Sequence, residues 1–344
     1  MYDPRVKKLA QVLVNYSLEI EPGWKFAIQA RPLAEDLALA VYEESIKQGA
    51  HAQLLVEFPQ AAEIFYKYAT DEQLEFIPPV AMLVSETYDA RLSIDAPENT
   101  RGLSAVDPAR QSLRSRASRP LMKTFMERAA RRELRWCTTD FPTHAAAQEA
   151  DMSLMDYQNF VYAAGKLDDP DPVERWKEEG RRMRVLTEWL NGKDRVEIKG
   201  ANVDLTLSVK GRTFIAADGH ENFPDGEIFT GPVEHSAQGW IRFKYPAIYG
   251  GREVNDVELW FEDGRVVRER ASKGQDLLTG LLNTDAGARY LGELGIGTNY
   301  EITRFTKNML FDEKIGGTIH LAVGASYPET GGENDSGIHW DMLC

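Results

Sequence analysis

Cysteine is nearly absent: Cys137 and Cys344 are the two thiols in 344 residues. They supply neither a disulfide framework nor a thiolate zinc site, and their scarcity fits a reducing, cytoplasmic setting. No apolar run approaches the ~18 residues that span a bilayer. The start, MYDPRVKKLA, lacks the apolar core of a secretory signal. Positive charge is also in deficit, with 40 Lys and Arg against 54 Asp and Glu and a net charge of −14. A field of that sign disfavours nucleic acid and anionic membranes as partners. It suits an enzyme that handles cations or cationic substrates. No G-x-G-x-x-G follows the first strand-like run, so a dinucleotide fingerprint is missing there. Gly292, Gly295 and Gly297 come in the wrong order, G-x-x-G-x-G, for a phosphate role. There is no internal repeat and no low-complexity segment.

What is present first is an alternation of periods. Val6, Leu9, Leu13 and Tyr16 recur at helical spacing over residues 5–16. A turn at Glu21-Pro22-Gly23 precedes a strand-like run at 24–30. A second amphipathic helix at 33–48 closes on Gly49, the preferred residue past a helix end. A second strand follows at 51–58, with further strands expected at 90–94 and 134–138. Strand, helix, strand is the parallel crossover unit, so an open α/β sheet is expected. Residues 101–135 carry ten basic and three acidic side chains. A solvated helical face, or a positive surface against the acidic half, accounts for them better than a nucleic-acid groove.

The texture then changes. Asp168-Asp169-Pro170-Asp171-Pro172 opens a long helix to about residue 190, which Asn191-Gly192 stops. Short β-rich runs follow at 195–199, 203–209, 257–261 and 266–268, separated by Gly and Asp turns. The expected division is an N-terminal α/β domain, 1–190, and a β-rich α+β catalytic domain, 191–344. From Asp194 onward the net charge is −9, against −5 for the preceding 193 positions. Catalysis is therefore sought in the second half.

Four segments there stand out: 225–230 (DGEIFT), 292–299 (GELGIGTN), 317–320 (GTIH) with Tyr327 beyond it, and 339–341 (HWD). On a strand, His339 and Asp341 project from one face, about 6.5–7 Å apart at their α-carbons. Glu227, Glu293 and His320 supply two more carboxylates and a second imidazole. Such a set without thiolate suits Zn²⁺, Co²⁺ or Mn²⁺. Three carboxylates also neutralise most of the charge of a dinuclear pair. Taken singly, each residue has an ordinary reading as well. A glutamate in a turn is commonly solvated, a strand histidine commonly hydrogen-bonded, and a tyrosine commonly packed.

At these segments the sequence resembles the aminopeptidase T / aminopeptidase S family of metallopeptidases. The likeness covers nearly the whole chain, including Leu13-Val14-Asn15-Tyr16-Ser17-Leu18, Phe141-Pro142-Thr143, Ala150-Asp151-Met152-Ser153, Phe261-Glu262-Asp263-Gly264-Arg265 and Leu310-Phe311-Asp312-Glu313-Lys314. It ends on Ser336-Gly337-Ile338-His339-Trp340-Asp341. The resemblance implies metal ligands at Glu227, Glu293, His320, His339 and Asp341, with Tyr327 close to the metals. It implies two divalent ions per chain, zinc or cobalt first and manganese or magnesium next, and a homodimer whose interface encloses the sites. The expected reaction removes N-terminal residues from short peptides by metal-activated water. Glu293 is the expected bridging carboxylate, and Tyr327 a ligand or a donor to the tetrahedral oxyanion.

Family members continue for a short stretch past the His-x-Asp segment, whereas here three residues follow Asp341. The expectation is that the last ligands are poorly supported. Two rival readings accompany the hydrolase. Ring-cleaving dihydroxypyridine dioxygenases look similar to this family and use one iron on a His/His/Asp set, which leaves Glu227 and Glu293 without work. A non-catalytic binding relative is the other.

Overall fold

The computed structural model describes residues 3–344. It falls into two compact units, one made of the residues up to Trp176 with Gly219–Pro224, the other of Lys177–Asp218 with Asp225–Cys344. The chain thus passes between units within the helix Pro172–Leu190 and returns briefly to the first at 219–224. A single boundary at 190 does not describe that return.

The first unit is built on a five-stranded parallel sheet in the order His51–Val56, Lys25–Ala30, Ala90–Asp95, Arg135–Asp140, Asn222–Phe223. Lys25–Ala30 lies between two neighbours, and Phe26, Ala27 and Ile28 are consecutively buried, as an inner parallel strand requires. The alternation read in the sequence is therefore the fold of this unit. Its first helix, Pro4–Val12, starts where Asp3 accepts the Arg5 N–H at 2.9 Å. Helical geometry does not run on unchanged to Tyr16. Residues 13–17 widen into a turn in which Leu18 N–H reaches back to the Leu13 carbonyl. The second helix is Glu35–Lys47, and Gly49 follows at φ +81°, the left-handed conformation that ends helices.

Six of the ten basic residues of 101–135 are exposed, as a solvated face requires, but three arginines are wired into the unit. Arg110 donates to the carbonyls of Tyr66 and Ala69, at the C-terminal end of the helix Pro59–Tyr68. Arg114 does the same for Leu74 and Phe76 at the end of Asp71–Glu75. Arg128 takes Ser85 and Tyr88 at the end of Pro79–Thr87. Each guanidinium satisfies carbonyls that a helix leaves without intrahelical partners.

The second unit contains two five-stranded antiparallel sheets and a small hairpin, Ala247–Tyr249 with Arg252–Val254. One sheet runs Arg265–Arg270, Glu258–Glu262, Gln238–Arg242, Val203–Ser208, Arg195–Gly200. Val203, Leu205 and Leu207 are buried while Asp204 is exposed, the period of a half-buried strand. The other runs His339–Leu343, Ile319–Gly324, Leu291–Gly297, Glu227–Thr230, Ile215–Ala217. Its apolar face gives Ile228, Leu294, Leu321, Val323, Trp340 and Met342 to the core of the unit. By the same alternation, Glu227, Glu293, His320, His339 and Asp341 all belong to the opposite face. Among the described residues no helix is long and apolar enough to cross a membrane.

Candidate metal centre

Pairing register determines which side chains meet on that face. Glu293 is opposite Ala322, which is opposite Asp341; Gly295 is opposite His320; Gly324 is opposite His339; Gly297 is opposite Glu227. Small residues thus alternate with long polar ones and leave them room. A β-carbon on Gly295 would stand 2.0 Å from the His320 ring, and one on Gly297 would stand 2.1 Å from the Ile315 carbonyl oxygen. The glycines that looked like a scrambled phosphate loop are needed for these close approaches.

All five expected ligands converge. His320 Nε2 is 3.0 Å from Glu293 Oε1 and 3.5 Å from Glu227 Oε2. His339 Nε2 is 3.3 Å from Glu293 Oε2 and 3.5 Å from Asp341 Oδ2. The two oxygens of Glu293 therefore face different histidines. Three overlapping groups can each offer ligand atoms within 4.8 Å of one another: Glu227, Glu293 and His320; Glu293, His339 and Asp341; Glu313, His320 and Asp341. Tyr327 lies beside them, its ring 5.0 Å from that of His339 and 5.6 Å from that of Phe229.

Exposure is graded across the cluster. His320 is fully buried and Glu227 and Glu293 nearly so, whereas the side chains of His339 and Asp341 are 25% and 16% exposed and Tyr327 is 40% exposed. The His339 end is the open one. The last ligands are not poorly supported. His339–Leu343 pairs along its length with Ile319–Gly324, and Cys344 exchanges backbone hydrogen bonds with Ile319.

Burial and mutual charge shift the titration of His320, His339, Glu293 and Glu227. Burial disfavours a charged His320, yet Glu293 and Glu227 hold its pKa up at about 10. His339 is likewise penalised by burial but held at about 11 by Asp341 and Glu293. Burial would raise Glu293, yet the two imidazoles bring it down to about 2. Burial drives Glu227 well above the ordinary carboxylate range, against the pull of Lys314. Carboxylate and imidazole thus compensate one another's charge in burial. The imidazole nitrogen of His339 away from the cluster, Nδ1, lies 2.8 Å from the Ala325 carbonyl, so Nδ1 donates and Nε2 faces the carboxylates.

Donor chemistry fits divalent ions. Glu227 Oε2, His320 Nδ1 and Asp341 Oδ1 are buried and make no hydrogen bond, a costly condition that coordination relieves. Carboxylate oxygen and imidazole nitrogen without sulfur match Zn²⁺, Co²⁺ or Mn²⁺.

Two charged residues here were missed in the sequence. Glu313 and Lys314 follow the short helix Met309–Asp312 in a loop, where no periodicity announces an inward side chain. Their signals are an Asp-Glu-Lys run next to Gly316 and Gly317 and their place in the Leu310–Lys314 segment of the family resemblance, neither of which assigns them a role.

Comparisons with known proteins agree with this chemistry. Aminopeptidase 2 of Geobacillus stearothermophilus is 26% identical over 392 aligned residues, covering 99% of this chain and 92% of that protein. Aminopeptidase T of Thermus thermophilus is 24% identical, covering 98% and 91%. Among solved structures, wild-type AmpT from Thermus thermophilus matches with a TM-score of 0.86 at 24% identity, over 98% of this chain and 92% of that one. The 2,5-dihydroxypyridine dioxygenase of Pseudomonas putida KT2440 shares the fold more distantly, with a TM-score of 0.60 at 12% identity over 100% and 92%. The model of the thermophilic metalloproteases matches residues 2–344, and the chain accordingly belongs to that family, M29.

Proposed function

We infer that this chain is a metal-dependent aminopeptidase, a hydrolase that removes residues from the N-terminus of peptides. The observation that carries the two-ion form of this reading is the division of Glu293, with Oε1 toward His320 and Oε2 toward His339. A carboxylate so placed would offer one oxygen to each of two ions. Glu227 and His320 complete one ligand group, and His339 and Asp341 the other, with Glu313 beside His320 and Asp341. When bound, the ions supply Lewis acidity and a water of lowered pKa.

The remaining chemistry belongs to the chain. Hydrolysis adds water to the carbonyl carbon of the first peptide bond, breaks the C–N bond and releases the amine with a proton. Burial and the neighbouring Glu293 and Asp341 hold the Tyr327 hydroxyl well above the ordinary phenol range, so it stays protonated. At the open end it donates to the oxyanion of the tetrahedral adduct. Excess carboxylate attracts the ammonium of a peptide N-terminus, which accounts for exopeptidase selectivity. The resemblance supports zinc or cobalt as the ions, short peptides as substrates, a homodimer as the working form and the cytoplasm as its place.

An iron oxygenase is not favoured. A single iron on two histidines and one carboxylate leaves Glu227, Glu293 and Glu313 unused. The deciding measurement is metal stoichiometry per chain, with leucyl-anilide turnover before and after chelation. Two ions and activity that chelator abolishes and zinc or cobalt restores are expected. One iron without peptide turnover would overturn the reading, and full metal occupancy without any turnover would leave a binding protein.

A further inference from the structure

Lys314 is wholly buried, and an ammonium that has lost its hydration needs compensating charge. Three carboxylates surround it. Glu313 pairs with it directly, Glu227 Oε1 lies 3.4 Å from Nζ, and Asp225 Oδ1 lies 3.9 Å away. Its backbone is fixed too: the Lys314 N–H donates to the Phe311 carbonyl, and its own carbonyl accepts from Asn299. With no exposed surface, Lys314 has no contact with a substrate. Any effect on the reaction passes through its carboxylate partners.

The two oxygens of Glu227 have different surroundings. Oε1 receives the ammonium, while Oε2 is buried, makes no hydrogen bond and lies 3.5 Å from His320 Nε2. Charge balance points the same way. Asp225, Glu227, Glu293, Glu313 and Asp341, set against one ammonium, leave four negative charges when all are ionised and both imidazoles are neutral, as metal ligands are, which is the charge of two divalent cations. Without Lys314 the excess would be larger, and Glu227 would have both oxygens free.

Resting on the metal-centre reading above, we propose that Lys314 is a positioning residue. It occupies Oε1 of Glu227 so that this ligand offers a cation only Oε2, and it holds Glu313 beside His320 and Asp341. Partners behind metal ligands act in this way, and their loss typically weakens metal binding about 10- to 100-fold.

The test is cobalt(II) binding to the full chain, followed by chelator competition and the visible d–d spectrum. Lys314→Met is expected to bind about tenfold more weakly or worse. Its d–d bands should lose intensity, because a two-oxygen Glu227 raises the coordination number. Lys314→Arg keeps the charge, but a guanidinium fork takes both carboxylate oxygens. It too is expected to bind about tenfold more weakly. Wild-type affinity and spectrum in Lys314→Arg would show that charge alone matters and would overturn positioning. Unchanged affinity and spectrum in Lys314→Met would do the same. Should the methionine variant fail to fold, the arginine variant decides. A wild-type chain that takes up no cobalt refutes the metal reading, and this proposal with it.

Discussion

The imidazole of His320 occupies the space in which a side chain on Gly295 would begin. The two are partners across adjacent strands, and a β-carbon on Gly295 would stand 2.0 Å from His320 Nε2. Gly295→Ala is therefore expected to push the ring out of its place between Glu227 and Glu293. Overpacking of this kind costs about 1–3 kcal/mol, and the bound metal should fall with the displaced ligand. Metal per chain and thermal stability, measured on the purified variant, check this. A stable variant with full metal content would show that the strand yields and the ring does not.

Tyr327 tests the chemistry apart from the metal. Its ring packs on Phe229 and His339 at the open end, and its hydroxyl is the group assigned to the oxyanion. Tyr327→Phe keeps the packing and removes one donor. Loss of one such donor costs about 10²–10³ in kcat in a well-studied case, so a fall of about tenfold or more is expected here, with metal content intact. If kcat is unchanged, Tyr327 has no part in the mechanism. If metal is lost as well, it is a ligand instead.

Much of this architecture is legible in the sequence, for physical reasons that differ by region. Strands near 25–30, 51–56, 90–95 and 135–140 declare themselves because each is a short run rich in strand-forming residues between helical periods. Asn222–Phe223 does not, since two residues carry no period and join the first sheet from a distant part of the chain. The site divides in the same way. His339 and Asp341 share a strand face, a local relation that spacing expresses. The approach of Glu227 to His320 depends on the pairing of three strands, which no local pattern encodes. Glu313 and Lys314 are harder still. They lie in a loop, and their inward direction follows from tertiary contacts alone.

The arginines of 101–135 yield a prediction that is independent of the site. Arg128 donates to the carbonyls of Ser85, Tyr88 and Glu133. Arg128→Met leaves these acceptors without that donor. Hydrogen bonds from charged donors are worth about 1.5–3 kcal/mol each where acceptors are buried, and these acceptors are partly solvated. A loss of about 1–3 kcal/mol on denaturant unfolding is therefore expected, with metal content and kcat unchanged. A variant as stable as the wild type would return this arginine to the class of solvated surface charge.

Removal of the ions should unsettle the second unit itself. Glu227 and Glu293 are nearly buried, and Asp341 half-buried, on one face of the sheet. Without a cation, protons and imidazolium charge have to compensate them. Binding to the native state alone stabilises it by about 4 kcal/mol when free metal exceeds Kd about a thousandfold. For a domain of 150–250 residues, each kcal/mol shifts Tm by about 2–4 °C. Chelation is therefore expected to lower the melting transition by about 8–16 °C, and zinc or cobalt should restore it. Arg128→Met should keep this metal-dependent shift undiminished, since its contacts lie wholly in the first unit. Gly295→Ala should lose most of it. A melting transition that ignores chelation would mean that the converged carboxylates and imidazoles do not hold the ions in the native protein.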